Sequence, residues 1–165
     1  MEIDILIEDP AWEATGLDAL ASAAFRATFT ALDLPAACFS VSLLACDDDR
    51  IAALNSEFRG KATPTNVLSW PADDRAPARA GDMPTLPAPD MSGPPLALGD
   101  IAITFGVVTR EAADAGKPLD HHLSHLLVHG LLHLLGFDHI HDADADRMES
   151  LETAILARLG IADPY

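Results

Sequence analysis

His-Gly-Leu-Leu-His-Leu-Leu-Gly-Phe-Asp-His, residues 129–139, is the stretch around which the rest of the chain can be arranged. His129 and His133 are four apart in a leucine-rich run, so a helix stacks their rings one turn above the other on one face. Gly136 stands where such a helix stops, because glycine accepts the left-handed backbone that turns the chain out of the last turn. The reversal swings His139 back toward the pair. Three neutral imidazoles leave the fourth position of a tetrahedral ion open, as in catalytic rather than closed structural sites. An isolated i, i+4 histidine pair is common without a metal. The third histidine behind a glycine, in surroundings where an unpaired imidazole is costly to bury, makes His129, His133 and His139 the expected ligands. The all-nitrogen set favours zinc, one ion per chain.

Outward from this motif, Pro118 to Leu135 predicts one long helix, with Pro118 suited to its first turn and Asp120 to its positive end. His125 lies one turn before His129 and is expected to pack or hydrogen-bond behind a ligand. His121, His122 and His141 read as surface residues. Asp138 has three open readings: it orients a ligand ring, acts in proton transfer, or caps the turn. Asp142 to Leu159 predicts a last helix with Met148, Leu151, Ile155, Leu156 and Leu159 on its buried face, closed by Gly160.

Toward the N-terminus, Ile3, Ile5 and Ile7 alternate as an opening strand with one buried face, and Leu17 to Leu32 carries apolar residues at helical spacing. Phe39 to Ala45 reads as a second strand. Asp47, Asp48 and Asp49 then start a helix running through Phe58, where carboxylates are stabilising without any metal. Arg59 ends that helix and complements its dipole. Val67 to Trp70 and Gly99 to Ile103 read as two further strands. Asp100 either faces the site or merely starts its strand. Seven of the twelve prolines lie between Pro71 and Pro95. Residues 71 to about 97 therefore read as a mobile insertion with no core of its own.

A chain of 165 residues, 49% hydrophobic, fits a single domain, 1–165, of mixed α/β or α+β class with one small sheet packed by helices. No apolar run is long enough for a membrane span, and the N-terminus is acidic, so a cytoplasmic protein is expected. Cys38 and Cys46 read as reduced core residues. The formal net charge of −16 argues against a broad nucleic-acid surface, although Arg59 and Lys61 form a close basic pair in a stretch without acids until Asp73.

The histidine spacing invites comparison with metzincin proteases, but Gly130 stands where those enzymes have their glutamate base. The string instead resembles the YbeY family of bacterial metal-dependent endoribonucleases, whose signature runs roughly His-Gly-x-Leu-His-Leu-x-Gly-Tyr-Asp-His. Phe137 replaces the tyrosine. Residues 54–71 resemble the family's Leu-Asn-x-x-x-Arg segment leading into Thr-Asp-Val-Leu-Ser-Phe-Pro, with Asn66 in place of the aspartate, and Gly99 to Ile103 matches its Gly-Asp-Ile-x-Ile. The resemblance implies a compact fold, a role for Arg59 in RNA cleavage, and single-strand endoribonuclease activity. It further implies action in ribosomal RNA maturation, including the 16S 3′ end, and in ribosome quality control, with rRNA and ribosome-associated proteins as partners. The residues alone define only a three-histidine metal hydrolase. A zinc peptidase-like hydrolase and a non-catalytic metal-binding assembly factor are the rival readings.

Overall fold

A computed structural model describes residues 1–165. Strand β1 (Glu2–Ile7) leads through a 3-10 turn into helix α1 (Leu17–Ala31), and β2 (Phe39–Cys46) into α2 (Asp48–Arg59). Then follow β3 (Val67–Pro71), β4 (Leu96–Thr104), α3 (Phe105–Asp114), α4 (Leu119–Leu134) and α5 (Asp142–Arg158). The four strands form one sheet in the order β1-β2-β4-β3. β1, β2 and β4 run parallel and β3 is antiparallel on the edge, paired with Val67 opposite Ile103 and Pro71 opposite Gly99. This is the mixed α/β class with one small sheet that the sequence predicts.

The sheet buries its two faces unequally. Ile101 and Ile103 point into the main core with Phe25, Phe29, Leu127 and Leu131. Ala102 turns the other way, into a small cluster with Cys46, Ile51 and Leu68 under α2. α4 is central: nine of its sixteen residues are buried. Full burial of each of its leucines is worth about 1.5–3 kcal/mol. Gly130 is what lets this helix lie so close to the sheet. A Cβ there would stand 3.1 Å from Ile101 Cδ1 and 3.4 Å from Ser69 Oγ.

Asp47 caps α2 by accepting the Arg50 amide at 2.8 Å. Asp48 reaches across instead, accepting from Thr104 Oγ1 at 2.8 Å, the Val107 amide at 3.1 Å and Arg110 at 2.9 Å. It thereby ties α2 to the start of α3. Although burial opposes ionisation, the Arg110 and Thr104 hydrogen bonds hold the Asp48 carboxyl below its ordinary range. The triple aspartate is accounted for by helix starts.

Three expectations are corrected here. Ile7 is 42% exposed, because β1 is an edge strand that runs out beyond the core. His122 is no plain surface residue: its Nε2 lies 3.2 Å from Glu111 Oε1 with the side chain 13% exposed. In α5, Leu151 and Leu159 are only partly buried, while Glu152 is fully buried.

Between β3 and β4 the chain forms no helix or strand. It lies along the first turns of α5, where the Gly81 amide donates to Asp144 Oδ1 at 2.7 Å and Arg147 donates to the Gly81 carbonyl at 2.7 Å. Pro84 and Pro87 of this segment are buried.

Candidate metal centre and adjoining cleft

α4 carries His129 and His133 on one face, and the turn at Gly136, with φ of +97°, brings His139 over them. Arg75 of the irregular segment crosses so close to Gly136 that a Cβ would meet its carbonyl at 2.7 Å. The 133 and 139 rings are 5.1 Å apart between centroids, and the 129 and 139 rings stack at 5.3 Å. One nitrogen from each of His129, His133 and His139 lies within 4.8 Å of the others, so a single ion can touch all three.

The tautomers follow from the partners. His129 Nδ1 lies 2.6 Å from Glu152 Oε1, and His133 Nδ1 lies 3.0 Å from the Phe137 carbonyl. Carboxylate and carbonyl only accept, so in both rings Nδ1 carries the proton and Nε2 keeps its lone pair. These two lone pairs face each other at 3.0 Å. With no proton to share, that contact is repulsive unless a cation lies between them. Two nitrogens at ordinary zinc distances and a tetrahedral angle stand about 3.3 Å apart, so the donor set fits a metal.

A second grouping, His125, His129 and Glu152, also brings three donors together. Its contacts of 2.9 and 2.6 Å are hydrogen-bond lengths, each made to a different Glu152 oxygen, and the His129 nitrogen used here is Nδ1, not the Nε2 that faces His133. Glu152 therefore braces the site from behind. Burial would raise its carboxyl, yet hydrogen bonds from His125, His129 and Tyr165 hold it down to about 2. His133 moves the opposite way to the usual paired histidine. Burial, followed by repulsion from His129 and His139, pushes it down to about 4, which keeps the ring neutral and available as a ligand.

A cleft of about 300 Å³ opens beside the histidines, between the end of α2, the 61–66 loop and β3. Arg59 and Lys61 line it together with Asn55, Asn66 and Ser69. No carboxylate does. None of the protein's ion pairs uses Arg59. Asn55 braces the loop through Nδ2 on the Thr63 carbonyl at 2.9 Å. Asn66 accepts the Val67 amide at 2.7 Å and donates to Glu111 Oε2 at 3.3 Å. An aspartate there would set two carboxylates against each other, and the amide also keeps negative charge out of the cleft.

Of the other candidates, Asp138 accepts the His139 amide at 2.7 Å, which shapes the turn that delivers the third imidazole. His125 sits behind the site on Glu152, 2.9 Å away, and does not join the three histidines. Asp100 is not at the site at all. It lies on the face of the sheet opposite α4, in a hollow with Asp4, Leu6 and Phe58. The sequence reading missed Asn55, Glu152 and Tyr165. Only the exceptional position of a glutamate among the apolar residues of α5 hinted at any of them.

Gly130 also excludes a metzincin-type base at its own position. The residue after His129 packs against Ile101 and Ser69, where a Cβ would already stand 3.1 Å from Ile101 Cδ1, so a glutamate base has no room there. A small mixed sheet backing a three-histidine centre beside a cationic cleft defines a metal-dependent hydrolase suited to anionic, phosphate-bearing substrates. The family model for endoribonuclease YbeY matches residues 3–160, and the chain belongs to that family. Membership carries the family's function, metal-dependent endonucleolytic cleavage in ribosomal RNA maturation. The chain is 62% identical to an endoribonuclease YbeY of Dinoroseobacter shibae, over 99% of this chain and 90% of that one. It is 61% identical to that of Jannaschia sp. over the full length of both. A Thermotoga maritima protein solved in solution shares the fold, with a TM-score of 0.55 at 20% identity over 98% of this chain and 97% of the other.

Proposed function

We propose that this chain cleaves single-stranded RNA, including the 3′ end of 16S ribosomal RNA, with one zinc ion held by His129, His133 and His139. The observation that carries the reading is the pair of Nε2 lone pairs opposed at 3.0 Å beside a cleft that has two cations and no acid. A divalent ion bound there supplies Lewis acidity, polarising a phosphoryl oxygen or activating water. Arg59 clamps the scissile phosphate and offsets charge developing on it, a bidentate geometry that lysine cannot copy. Lys61, at the outer side, neutralises a neighbouring phosphate. Asn66 and Asn55 hold the loop that carries Lys61. The phosphodiester enters along this carboxylate-free side, because the adjoining hollow, which shares Arg59 and also holds Arg75, brings in Asp73, Asp74 and Asp138. Ribosome-associated proteins are the partners, and the cytoplasm, where ribosomes mature, is the location this activity requires. No helix is long and apolar enough to cross a membrane.

The test joins metal analysis to cleavage of a single-stranded RNA by wild type, His133→Ala and Arg59→Ala. His133→Ala should lose both zinc and cleavage. Arg59→Ala should keep its zinc and lose roughly 10²–10³-fold in rate, the size seen when one charge-stabilising group is removed. Full activity in metal-free protein would overturn the reading, and intact RNA with every preparation would leave a non-catalytic assembly factor. The product ends separate the nucleophiles: a 2′,3′-cyclic phosphate identifies the 2′-hydroxyl as the attacking group.

A further inference from the structure

Glu152 is the one acidic side chain of the protein that is completely buried, and it sits on α5 among Met148, Ile155 and Leu156, all equally buried. A carboxylate in such surroundings persists only when both of its oxygens are hydrogen-bonded. Here they are. Oε1 accepts His129 Nδ1–H at 2.6 Å, Oε2 accepts His125 Nε2–H at 2.9 Å, and the Tyr165 hydroxyl donates to Oε2 as well. The three donors come from three places: two successive turns of α4 and the segment that follows α5. The arrangement fixes the carboxylate from two sides while its third contact fixes His129.

We propose that Glu152 is the positioning residue of the metal centre, setting the tautomer and ring plane of His129 so that Nε2 points at the ion, and that His125 and Tyr165 lock Glu152 in that pose. The inference rests on the reading of His129, His133 and His139 as ligands. Without Glu152, the His129 ring can rotate about its side-chain bonds and offer either nitrogen. His133 does not depend on it, being held by the Phe137 carbonyl at 3.0 Å within its own turn. The two helical ligands are thus oriented independently, one locally and one by α5. The pairing also explains the stepwise histidines of α4: His129 ligates, and His125 supports the group that orients it. A carboxylate behind a metal-bound imidazole typically contributes 10–100-fold to metal affinity.

The test measures zinc affinity of the full chain by competition with a chromogenic chelator, in wild type, Glu152→Gln, Tyr165→Phe and His133→Ala. Substituting cobalt(II) gives a visible spectrum that reports ligand geometry. Glu152→Gln should bind zinc about 10–100-fold more weakly and change the cobalt spectrum, while the metal-free variant unfolds cooperatively. Tyr165→Phe, at a half-exposed position, should fold as wild type and bind zinc a few-fold more weakly. Wild-type affinity and spectrum in Glu152→Gln overturn the proposal. If Glu152→Gln does not fold, Tyr165→Phe decides in the same way: a few-fold loss supports it and wild-type affinity overturns it. Failure of the ligand reading looks different, since His133→Ala would then bind zinc as tightly as wild type.

Discussion

At His133, burial lowers the imidazole to about 4 from 6.5, and the neighbouring histidines add to the effect. In the metal-free protein the folded state keeps this ring neutral down to about that pH, whereas the unfolded chain takes up a proton near its ordinary value. Between the two the unfolded state binds more protons, so stability falls as pH falls, by up to roughly 3 kcal/mol. Glu152 acts in the same direction over a lower window, from 4.5 down to about 2. Urea unfolding of metal-free protein at pH 7, 5.5 and 4 should show the decline, and a flat profile would contradict the neutral, buried His133. Gly130 supports a second expectation. Gly130→Glu should destabilise by about 3 kcal/mol or more, since it drives a carboxylate into Ile101, and should create no peptidase activity on casein. At this scale a role for Arg59 came only from the family resemblance, whereas the three histidines were legible because helical spacing and a glycine are local signals. Glu152 was not, because its burial depends on which face α5 turns to α4. Asp100 was equally illegible: strand alternation allows either face, and only the pairing of Ser42 with Asp100 and of Trp70 with Asp100 settles the parity.

At the level of elements, the strongest contrast is between α4 and the segment 72–95. α4 satisfies its amides along a helix packed on both sides. The segment has few backbone hydrogen bonds of its own, among them Asp82 to Arg79 at 3.2 Å, Thr85 to Arg75 at 3.1 Å and Gly93 to Asp90 at 3.2 Å. Its ties to α5 pass through a single carbonyl and amide, those of Gly81. Such regions open at a fraction of the global unfolding cost. Hydrogen exchange should therefore find the amides of 76–95 exchanging orders of magnitude faster than those of 123–134. Arg147→Ala should speed exchange at 79–83 further while shifting the melting temperature by only about 2–4 °C. Equal protection of both regions would mean that the segment is part of the cooperative core. The proline content foretold the absence of regular structure. The attachment to Asp144 and Arg147 could not be foretold, since it joins residues some sixty positions apart.

For the molecule as a whole, the formal charge of −16 must be reconciled with binding to RNA. Most of those acids lie away from the cleft, and beyond about 10 Å their repulsion of RNA is screened at moderate salt. What remains local is Arg59 with Lys61, two cations in a hollow with no acid. Two phosphate contacts release few counterions: for a single strand the slope of log affinity against log salt is about −0.7 per phosphate, or roughly −1.4 in total. Screening of the distant repulsion makes the slope shallower still. Binding of a short single-stranded RNA, followed by fluorescence anisotropy between 50 and 500 mM salt, should give a slope no steeper than that value. Lys61→Ala should reduce it by about 0.7 and leave the zinc content unchanged. A slope of about −4 would require several more phosphate contacts. The acidic remainder of the surface could not supply those, so the strand would have to pass elsewhere than through the histidine cleft.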